Sequence, residues 1–253
     1  MGRIKQSVTW GLARRAGADP GEAIRKVAAL GFVAIEMAPE EHWAAIRAAG
    51  LAIPIVSGHR SLGDGLNKPE NHDRIEAELR ENIRKAAAHG IPSLITFSGN
   101  RNGQDDGRGL ELCAQGLRRV IRDAEEHGIN LCMELLNSKV NHPDYQCDHT
   151  AWGVQLCEAV GSPRCKLLYD IYHMQIMEGD LIRNIRDHLA HIGHFHTAGN
   201  PGRHNLDDQQ EIFYPAVMRA IAATDYAGYV GHEFSPTGDA VAALQEAFRA
   251  CDA

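Results

Sequence analysis

Short apolar runs alternate with longer amphipathic runs from one end of the chain to the other. The apolar runs have the length and the β-branched or aromatic content of buried strands. They predict strands at residues 4–10, 32–37, 52–57, 93–98, 130–135, 165–170, 191–197 and 229–234. The amphipathic runs predict helices at residues 20–30, 40–49, 73–89, 110–127, 148–160, 179–189, 213–223 and 239–250.

Eight strand–helix units follow one another without a composition break or a Ser/Pro-rich linker. Alternation of this kind favours a parallel sheet, and eight units at this length favour a closed α/β barrel. We therefore predict a (β/α)8 TIM barrel that forms a single domain over residues 1–253. A doubly wound open sheet is the structural rival.

Local signals support several of the helices. Asp19 and Pro20 have the types expected for the cap and the first turn of a helix, and Gly90 is placed to end the helix at residues 73–89. Within that helix an apolar face is predicted, made of residues at four-residue spacing: Ile75, Leu79, Ile83 and Ala87.

Four of the predicted strands, all in the second half of the chain, end in a potential metal ligand: Glu134, Asp170, His196 and Glu233. In a parallel barrel the active site lies at the C-terminal ends of the strands and draws residues from several of them. Because successive side chains of a strand point to opposite faces, these four residues can all face the mouth of the barrel, whereas His232 faces the helices. Three carboxylates and an imidazole suit one divalent cation such as Mn²⁺ or Mg²⁺.

Such a site favours proton transfer next to a carbonyl group. A vicinal hydroxyl and carbonyl would chelate the cation, which would polarise the carbonyl and stabilise an enediolate. Glu134 and Glu233 are the candidate acid/base groups. Each residue also has a purely structural interpretation: Asp170 could cap a helix, and His196 could be a hydrogen-bonded core histidine. Neighbouring buried carboxylates would repel without a cation, which favours the metal site.

Composition narrows the classes of protein that the chain can be. The formal net charge is −7, with acids and bases mixed along the chain, which argues against nucleic-acid binding. No run approaches the ~20 apolar residues of a membrane span, and the first residues lack the apolar region of a signal peptide. The six cysteines form no C-x-x-C pair, so we expect neither a zinc ribbon nor a thioredoxin-type motif. Because no signal peptide and no membrane span is predicted, we expect a protein of the reducing cytoplasm without membrane contact.

Three segments resemble a known family: YDIYHMQIMEGD, HTAGNPGRHNLDDQQEIFYP and GYVGHEF. They look like hydroxypyruvate isomerase-type members of the xylose isomerase-like TIM-barrel superfamily, strongly over residues 130–235 and loosely elsewhere. The resemblance implies a divalent cation on Glu134, Asp170, His196 and Glu233, with Glu134 and Glu233 as the proton-transfer pair. It also implies substrate contacts from His173 and Arg203, and it suggests a homodimer or homotetramer.

The chain departs from the family pattern at two positions. Hydroxypyruvate isomerases often carry Gln where this chain has His196, whereas the sugar epimerases carry His. The epimerases have a glutamate six residues beyond the first ligand, where this chain has Val140. The substrate is therefore less well defined than the class of reaction.

Polar residues in the connections after the strands are further candidates for substrate binding: His59, Asn100 and Lys139, with Arg60 and Arg101 beside the first two. A basic side chain among them would suit a substrate carboxylate. The alternative is that they are ordinary turn residues of the surface.

We therefore predict a metal-dependent isomerase that interconverts a small 2-hydroxy aldehyde and ketone, such as tartronate semialdehyde and hydroxypyruvate or a related 2-oxo acid. A ketose 3-epimerase, another sugar isomerase or a dehydratase could use the same metal site. A nuclease of the endonuclease IV type would need further His and acidic ligands and a basic rim. A non-catalytic ligand-binding barrel is the alternative from another class, and a dinucleotide-binding or Walker-type phosphate loop is absent from the sequence.

Overall fold

The computed structural model describes residues 2–253. These residues form eight β-strands, which pair in parallel within each of the two units defined below. The strands are β1 (Lys5–Thr9), β2 (Ala34–Glu36), β3 (Ile55–Ser57), β4 (Ser93–Thr96), β5 (Asn130–Glu134), β6 (Cys165–Asp170), β7 (Ile192–Thr197) and β8 (Tyr229–His232).

Helices separate the strands. The α-helices are α1 (Trp10–Ala16), α2 (Pro20–Ala29), α3 (Trp43–Ala48), α4 (His72–Ala88), α5 (Asp106–Arg118), α6 (Ile121–His127), α7 (Thr150–Val160), α8 (Ile171–Met177), α9 (Leu181–His188), α10 (Tyr214–Ala222) and α11 (Ala240–Cys251). None of these helices is both long and apolar enough to cross a membrane, within the residues described.

The chain divides into two compact units. The first unit comprises the residues up to Pro54, Asp180–Asp187 and the residues from His194 onwards. The second unit comprises Ile55–Gly179 and His188–Gly193. That the whole chain forms a single domain stays a prediction.

In the first unit the strand order is β2, β1, β8 and β7. Ser7 on β1 is in register with Gly231 on β8, and Gly231 is in register with His196 on β7. On the other side of β1, Thr9 is in register with Glu36, the last residue of β2. This register brings the C-terminal ends of the four strands to the same edge.

In the second unit the strand order is β6, β5, β4 and β3. Glu134, the last residue of β5, is in register with Leu168, so Asp170 lies two residues further along β6. The unit's strands are buried along most of their length, as expected for a parallel sheet covered by helices.

The predicted helices differ from the observed ones in three places. Helices α1 and α8 begin at the residue directly after β1 and β6, where the sequence predicts no helix. The single helix predicted at residues 110–127 is two helices, α5 and α6. The cap of α2 is confirmed, since the Asp19 side chain accepts a hydrogen bond from the Glu22 N–H at 2.8 Å.

The apolar face of α4 differs by one residue from the prediction. Ile75, Leu79 and Ile83 are buried, but the next buried position is Ala86, and Ala87 is half-buried. A helix of 3.6 residues per turn drifts away from a strict four-residue repeat, so the face moves to the earlier alanine.

All six cysteines, Cys113, Cys132, Cys147, Cys157, Cys165 and Cys251, are free thiols and are buried.

Leu79→Ala tests the packing of this helix face. The Leu79 side chain is fully buried, so we expect the substitution to lower the free energy of unfolding by about 2–5 kcal/mol. Arg84→Ala, on the exposed side of the same helix, should change it by less than about 0.5 kcal/mol. Urea denaturation of both variants would measure this, and equal losses would contradict the assigned face.

Candidate functional site

His196 and Glu233 contact each other at the C-terminal ends of β7 and β8 in the first unit. The His196 Nδ1 atom lies 3.1 Å from the Glu233 Oε2 atom. Arg203, in the connection after β7, donates a hydrogen bond from Nη2 to the same Glu233 oxygen at 2.6 Å. His196 is fully buried, whereas the Glu233 side chain is 25% exposed. Two of the four ligands predicted from the sequence therefore lie side by side, with the predicted substrate-binding arginine on one of them.

Glu36, at the end of β2, forms a second cluster of potential ligands with His194 and His196. Its Oε2 atom lies 2.6 Å from His194 Nε2 and 3.3 Å from His196 Nε2. Its Oε1 atom accepts a hydrogen bond from Ser7 Oγ at 2.9 Å. All four side chains are buried.

The two imidazoles determine the charge state of Glu36. Burial alone would raise the pKa of this carboxyl group, but electrostatic attraction and hydrogen bonds from His194 and His196 outweigh burial. The pKa of Glu36 is therefore held well below its usual value of 4.5. The group is an ionised carboxylate at neutral pH.

His232 is a neutral core histidine on β8. Gln6 donates its Nε2–H to the Phe248 carbonyl at 3.1 Å, so its Oε1 atom faces His232 Nε2 at 2.9 Å as an acceptor. The His232 Nε2 atom therefore carries the proton, and Nδ1 accepts from Thr197 Oγ1 at 2.8 Å. The ring packs edge-on against Phe32. Burial lowers the pKa of His232 to about 3, against the opposing effect of Glu36.

A cavity of about 230 Å³ adjoins Glu233 in the first unit. Arg203 and Arg15 both line it, and Arg15 is an exposed residue of α1. Thr9, Leu12 and Phe234 supply part of the remaining wall. Two guanidinium groups and one carboxylate give this cavity a net positive charge, which suits an anionic ligand.

Glu134 and Asp170 are the predicted ligands of the second unit. One carboxylate oxygen of each lies within 4.8 Å of the other. Glu134 is 6% exposed and Asp170 is fully buried. Asp170 Oδ1 also accepts a hydrogen bond from the His173 N–H at 3.0 Å and caps α8. The capping role that the sequence left open is therefore real, and it uses one of the two carboxylate oxygens.

His173 is held by a polar network behind Asp170. Asn137 donates from Nδ2 to His173 Nδ1 at 2.5 Å, and the Asn137 Oδ1 atom accepts from the N–H groups of Val140 and Asn141. Because Nδ1 is the acceptor, the proton of the neutral ring is on Nε2, which lies 3.7 Å from Asp170 Oδ2. The predicted substrate-binding histidine thus presents an N–H donor on the Asp170 side.

Two of the other residues predicted to bind substrate, His59 and Lys139, make hydrogen bonds to the backbone. His59 Nδ1 faces the Arg60 carbonyl at 3.0 Å and His59 Nε2 accepts from the Phe97 N–H at 3.0 Å, so the backbone uses both ring nitrogens. Lys139 donates from Nζ to the carbonyls of Ile176 and Met177 and closes the C-terminal end of α8. That these two residues bind substrate stays a prediction.

The loop after β4 is likewise tied to the protein itself. Asn100 is half-buried, with its backbone paired to Gly63 and its carbonyl accepting from Asn67 Nδ2. Arg101 donates to Asp106 and Asp148, at 3.1 Å and 3.0 Å. The role of Asn100 in substrate binding stays a prediction, whereas Arg101 serves to hold the loop.

Sequence reasoning missed Glu36 and Arg15. Glu36 ends the apolar run FVAIE and so carried the same signal that identified the other strand-end ligands. Arg15 had no such signal, because helix α1 was not predicted.

The chain belongs to the xylose isomerase-like TIM barrel family, whose model matches residues 11–251. This confirms the predicted (β/α)8 barrel and excludes the open-sheet alternative. A solved structure from Brucella melitensis, described as an AP endonuclease of family 2, is 25% identical and has a TM-score of 0.86. The similarity covers 97% of this chain and 98% of that one.

Two relatives carry isomerase names. A human protein named putative hydroxypyruvate isomerase is 28% identical over 237 residues, which are 87% of this chain and 86% of the relative. A 2-oxo-tetronate isomerase of Pectobacterium atrosepticum is 31% identical over 170 residues, covering 66% of this chain and 64% of the relative. These relatives confirm the prediction that the chain is an isomerase.

The buried neutral state of His232 predicts a pH dependence of stability. Between pH 6.5 and about 3 the unfolded chain protonates this ring and the folded chain does not. Stability therefore falls as pH decreases through this window, with a slope of up to about 1.4 kcal/mol per pH unit from this group. His232→Gln should reduce the slope measured by urea denaturation from pH 6 to pH 4.

The exposed His127 is the control for this measurement, since His127→Gln should leave the slope unchanged. An unchanged slope in His232→Gln would mean that the ring titrates normally in the folded protein.

Proposed function

We propose that the chain is a metal-dependent isomerase that interconverts hydroxypyruvate, or a related small 2-oxo acid, and the corresponding 2-hydroxy aldehyde. The observation that carries the proposal is a set of ionisable side chains, buried or half-buried, at the ends of four successive strands, in a chain whose relatives are named isomerases. In this proposal one divalent cation, Mn²⁺ or Mg²⁺, is held jointly by Glu134, Asp170, His196 and Glu233.

The donor atoms fit such a cation. Carboxylate oxygens with one imidazole nitrogen suit Mn²⁺ or Mg²⁺ better than a softer metal. In the first unit His196 Nδ1 and Glu233 Oε2 already converge to 3.1 Å. In the second unit two carboxylates that repel each other lie within 4.8 Å, an arrangement that a positive charge would stabilise.

The proposed chemistry is a proton shift between neighbouring carbons. When bound, the cation would act as a Lewis acid on the carbonyl and hydroxyl oxygens of the substrate. One carboxylate of the pair Glu134 and Glu233 takes the proton from the carbon next to the carbonyl and leaves an enediolate. The conjugate acid then returns a proton to the former carbonyl carbon, while the hydroxyl proton passes from the neighbouring oxygen to the former carbonyl oxygen. No atom is gained or lost overall, as isomerisation requires.

Residues around the two glutamates have matching roles in this proposal. The Nε2–H of His173, whose tautomer is set by Asn137, donates to a substrate oxygen. Arg203 holds Glu233 by a hydrogen bond of 2.6 Å and so limits the positions of that carboxylate. The positive cavity beside Glu233 takes the carboxylate of a 2-oxo acid, with Arg15 as the exposed contact.

A ketose 3-epimerase is the second candidate, supported by His196 at the position where the resemblance places His in the epimerases. It would use the same pair of carboxylates and return the proton to the same carbon from the other face. The cavity charge favours an acid substrate over a neutral sugar.

Glu134→Gln and Glu233→Gln test the metal and the proton transfer together. We expect each to lower kcat for hydroxypyruvate at least 100-fold, because a carboxamide cannot exchange a proton, and to weaken Mn²⁺ binding. Product formation and solvent deuterium incorporation would be followed by proton NMR in D₂O, with Mn²⁺ affinity by calorimetry. The exposed Glu126 is the matched control, and Glu126→Gln should behave as wild type.

Chelator-sensitive conversion of hydroxypyruvate would support the proposal, and conversion of a ketose alone would move the substrate to the sugar class. Full activity after removal of metal would contradict the metal site. Absence of turnover and exchange with every candidate substrate would favour a binding protein.

Arg15→Gln tests the anionic end of the substrate. Because Arg15 is exposed, we expect the KM for hydroxypyruvate to rise about threefold to tenfold, with kcat nearly unchanged. Arg14 is the matched control, since its guanidinium lies 5.9 Å from the Trp10 ring centre and does not line the cavity. Steady-state kinetics would give the KM for hydroxypyruvate of both variants. If Arg15→Gln had the same KM as Arg14→Gln, Arg15 would be excluded from the substrate site.

A further inference from the structure

Glu36 is a buried carboxylate that reaches across the sheet of the first unit. It starts from the end of β2, and its Oε2 atom contacts imidazoles on β7, with β1 and β8 lying between these strands. The side chain is 0% exposed. Its three hydrogen bonds come from Ser7, His194 and His196.

Gly231 on β8 leaves the space for this reach. A Cβ atom at Gly231 would lie 1.9 Å from Glu36 Oε1 and 2.9 Å from His196 Cδ2. Ser7 and His196 are the residues in register with Gly231 on the two neighbouring strands. The carboxylate therefore occupies the volume that a side chain of β8 would fill, with its serine donor on one side and its histidine donors on the other.

The contact with Glu36 places a hydrogen on the Nε2 atom of His196. A carboxylate only accepts hydrogen bonds, so the Nε2 atom that faces Glu36 is the protonated nitrogen. Nδ1 lies 3.1 Å from Glu233 Oε2, and in a ring that binds a cation together with this oxygen Nδ1 supplies the lone pair. The same reasoning puts a hydrogen on Nε2 of His194, the closer of the two rings.

We propose that Glu36 is a positioning residue that holds His196 as the Nε2–H tautomer and so directs Nδ1 to the divalent cation. This rests on the metal site of the proposed function. A carboxylate behind a ligand histidine fixes the orientation of the ring and makes the ligand nitrogen more basic, and its loss typically weakens metal binding 10- to 100-fold.

The tautomer can be measured without any metal. In protein labelled with ¹⁵N-histidine, two-bond nitrogen–proton correlations at pH 8 distinguish Nε2–H from Nδ1–H rings, and His196→Asn assigns the signal. We expect Nε2 of His196 to carry a hydrogen in the metal-free protein and in the Mg²⁺-loaded protein. An Nδ1–H ring at His196 would overturn the proposal, whatever the activity of the enzyme.

Glu36→Gln tests the consequence for the metal. This substitution keeps the volume but replaces one acceptor oxygen with a donor group, so we expect the Kd for Mn²⁺ to rise about 10- to 100-fold. Ser7→Ala is the matched control: it removes the third hydrogen bond of the same carboxylate and leaves both imidazoles in place. We expect Ser7→Ala to change the Kd by less than about threefold, with calorimetry as the readout.

The outcomes separate the two proposals. Wild-type Mn²⁺ affinity in a folded Glu36→Gln variant would overturn the positioning role alone. Failure of the wild-type protein to bind any divalent cation would overturn the proposed metal site, and the positioning role with it. If Glu36→Gln does not fold, the tautomer of His196 in the wild-type protein decides.

Discussion

The burial of ionisable groups away from water is the constraint on which this structure depends. Glu36 and Asp170 are fully buried and Glu134 nearly so. A charged carboxylate in such a place is stable only where donors or opposite charges replace water. The chain meets this condition for Glu36 with two imidazoles and a serine hydroxyl, and for Asp170 in part with the His173 N–H in the first turn of α8.

This constraint explains why polar side chains from the loops contact the ionisable residues at the strand ends. Asn137 and Arg203 each contact a side chain of the proposed site. Asn137 is held in turn by N–H groups of its own loop, and the Arg203 carbonyl accepts a hydrogen bond from the Ser235 N–H. Groups that are fixed before a ligand arrives need less reorganisation when it binds. The packing around Gly231 extends the same argument to the backbone, because a larger residue there would displace Glu36.

The sequence predicted the eight strands well, because each is an apolar run of the expected length. Helices α1 and α8 were not predicted because no connection separates them from the preceding strands, and Asp170 is both a strand residue and a helix cap. Glu36 showed the strand-end signal but had no partner close in the chain to draw attention to it. His59 and Lys139 could not be interpreted from sequence, since only the folded backbone shows which carbonyl and amide groups they meet.

The cysteines give the molecule a property unrelated to catalysis. All six thiols are buried, and burial raises the pKa of Cys113, Cys147 and Cys251. A thiol reagent reaches a buried sulfur atom only when the surrounding structure opens, so the rate of alkylation reports how often that part of the fold opens. The native cysteines lie in helices, in strands and, for Cys147, in a loop, so their alkylation rates would report local unfolding at several places in the fold.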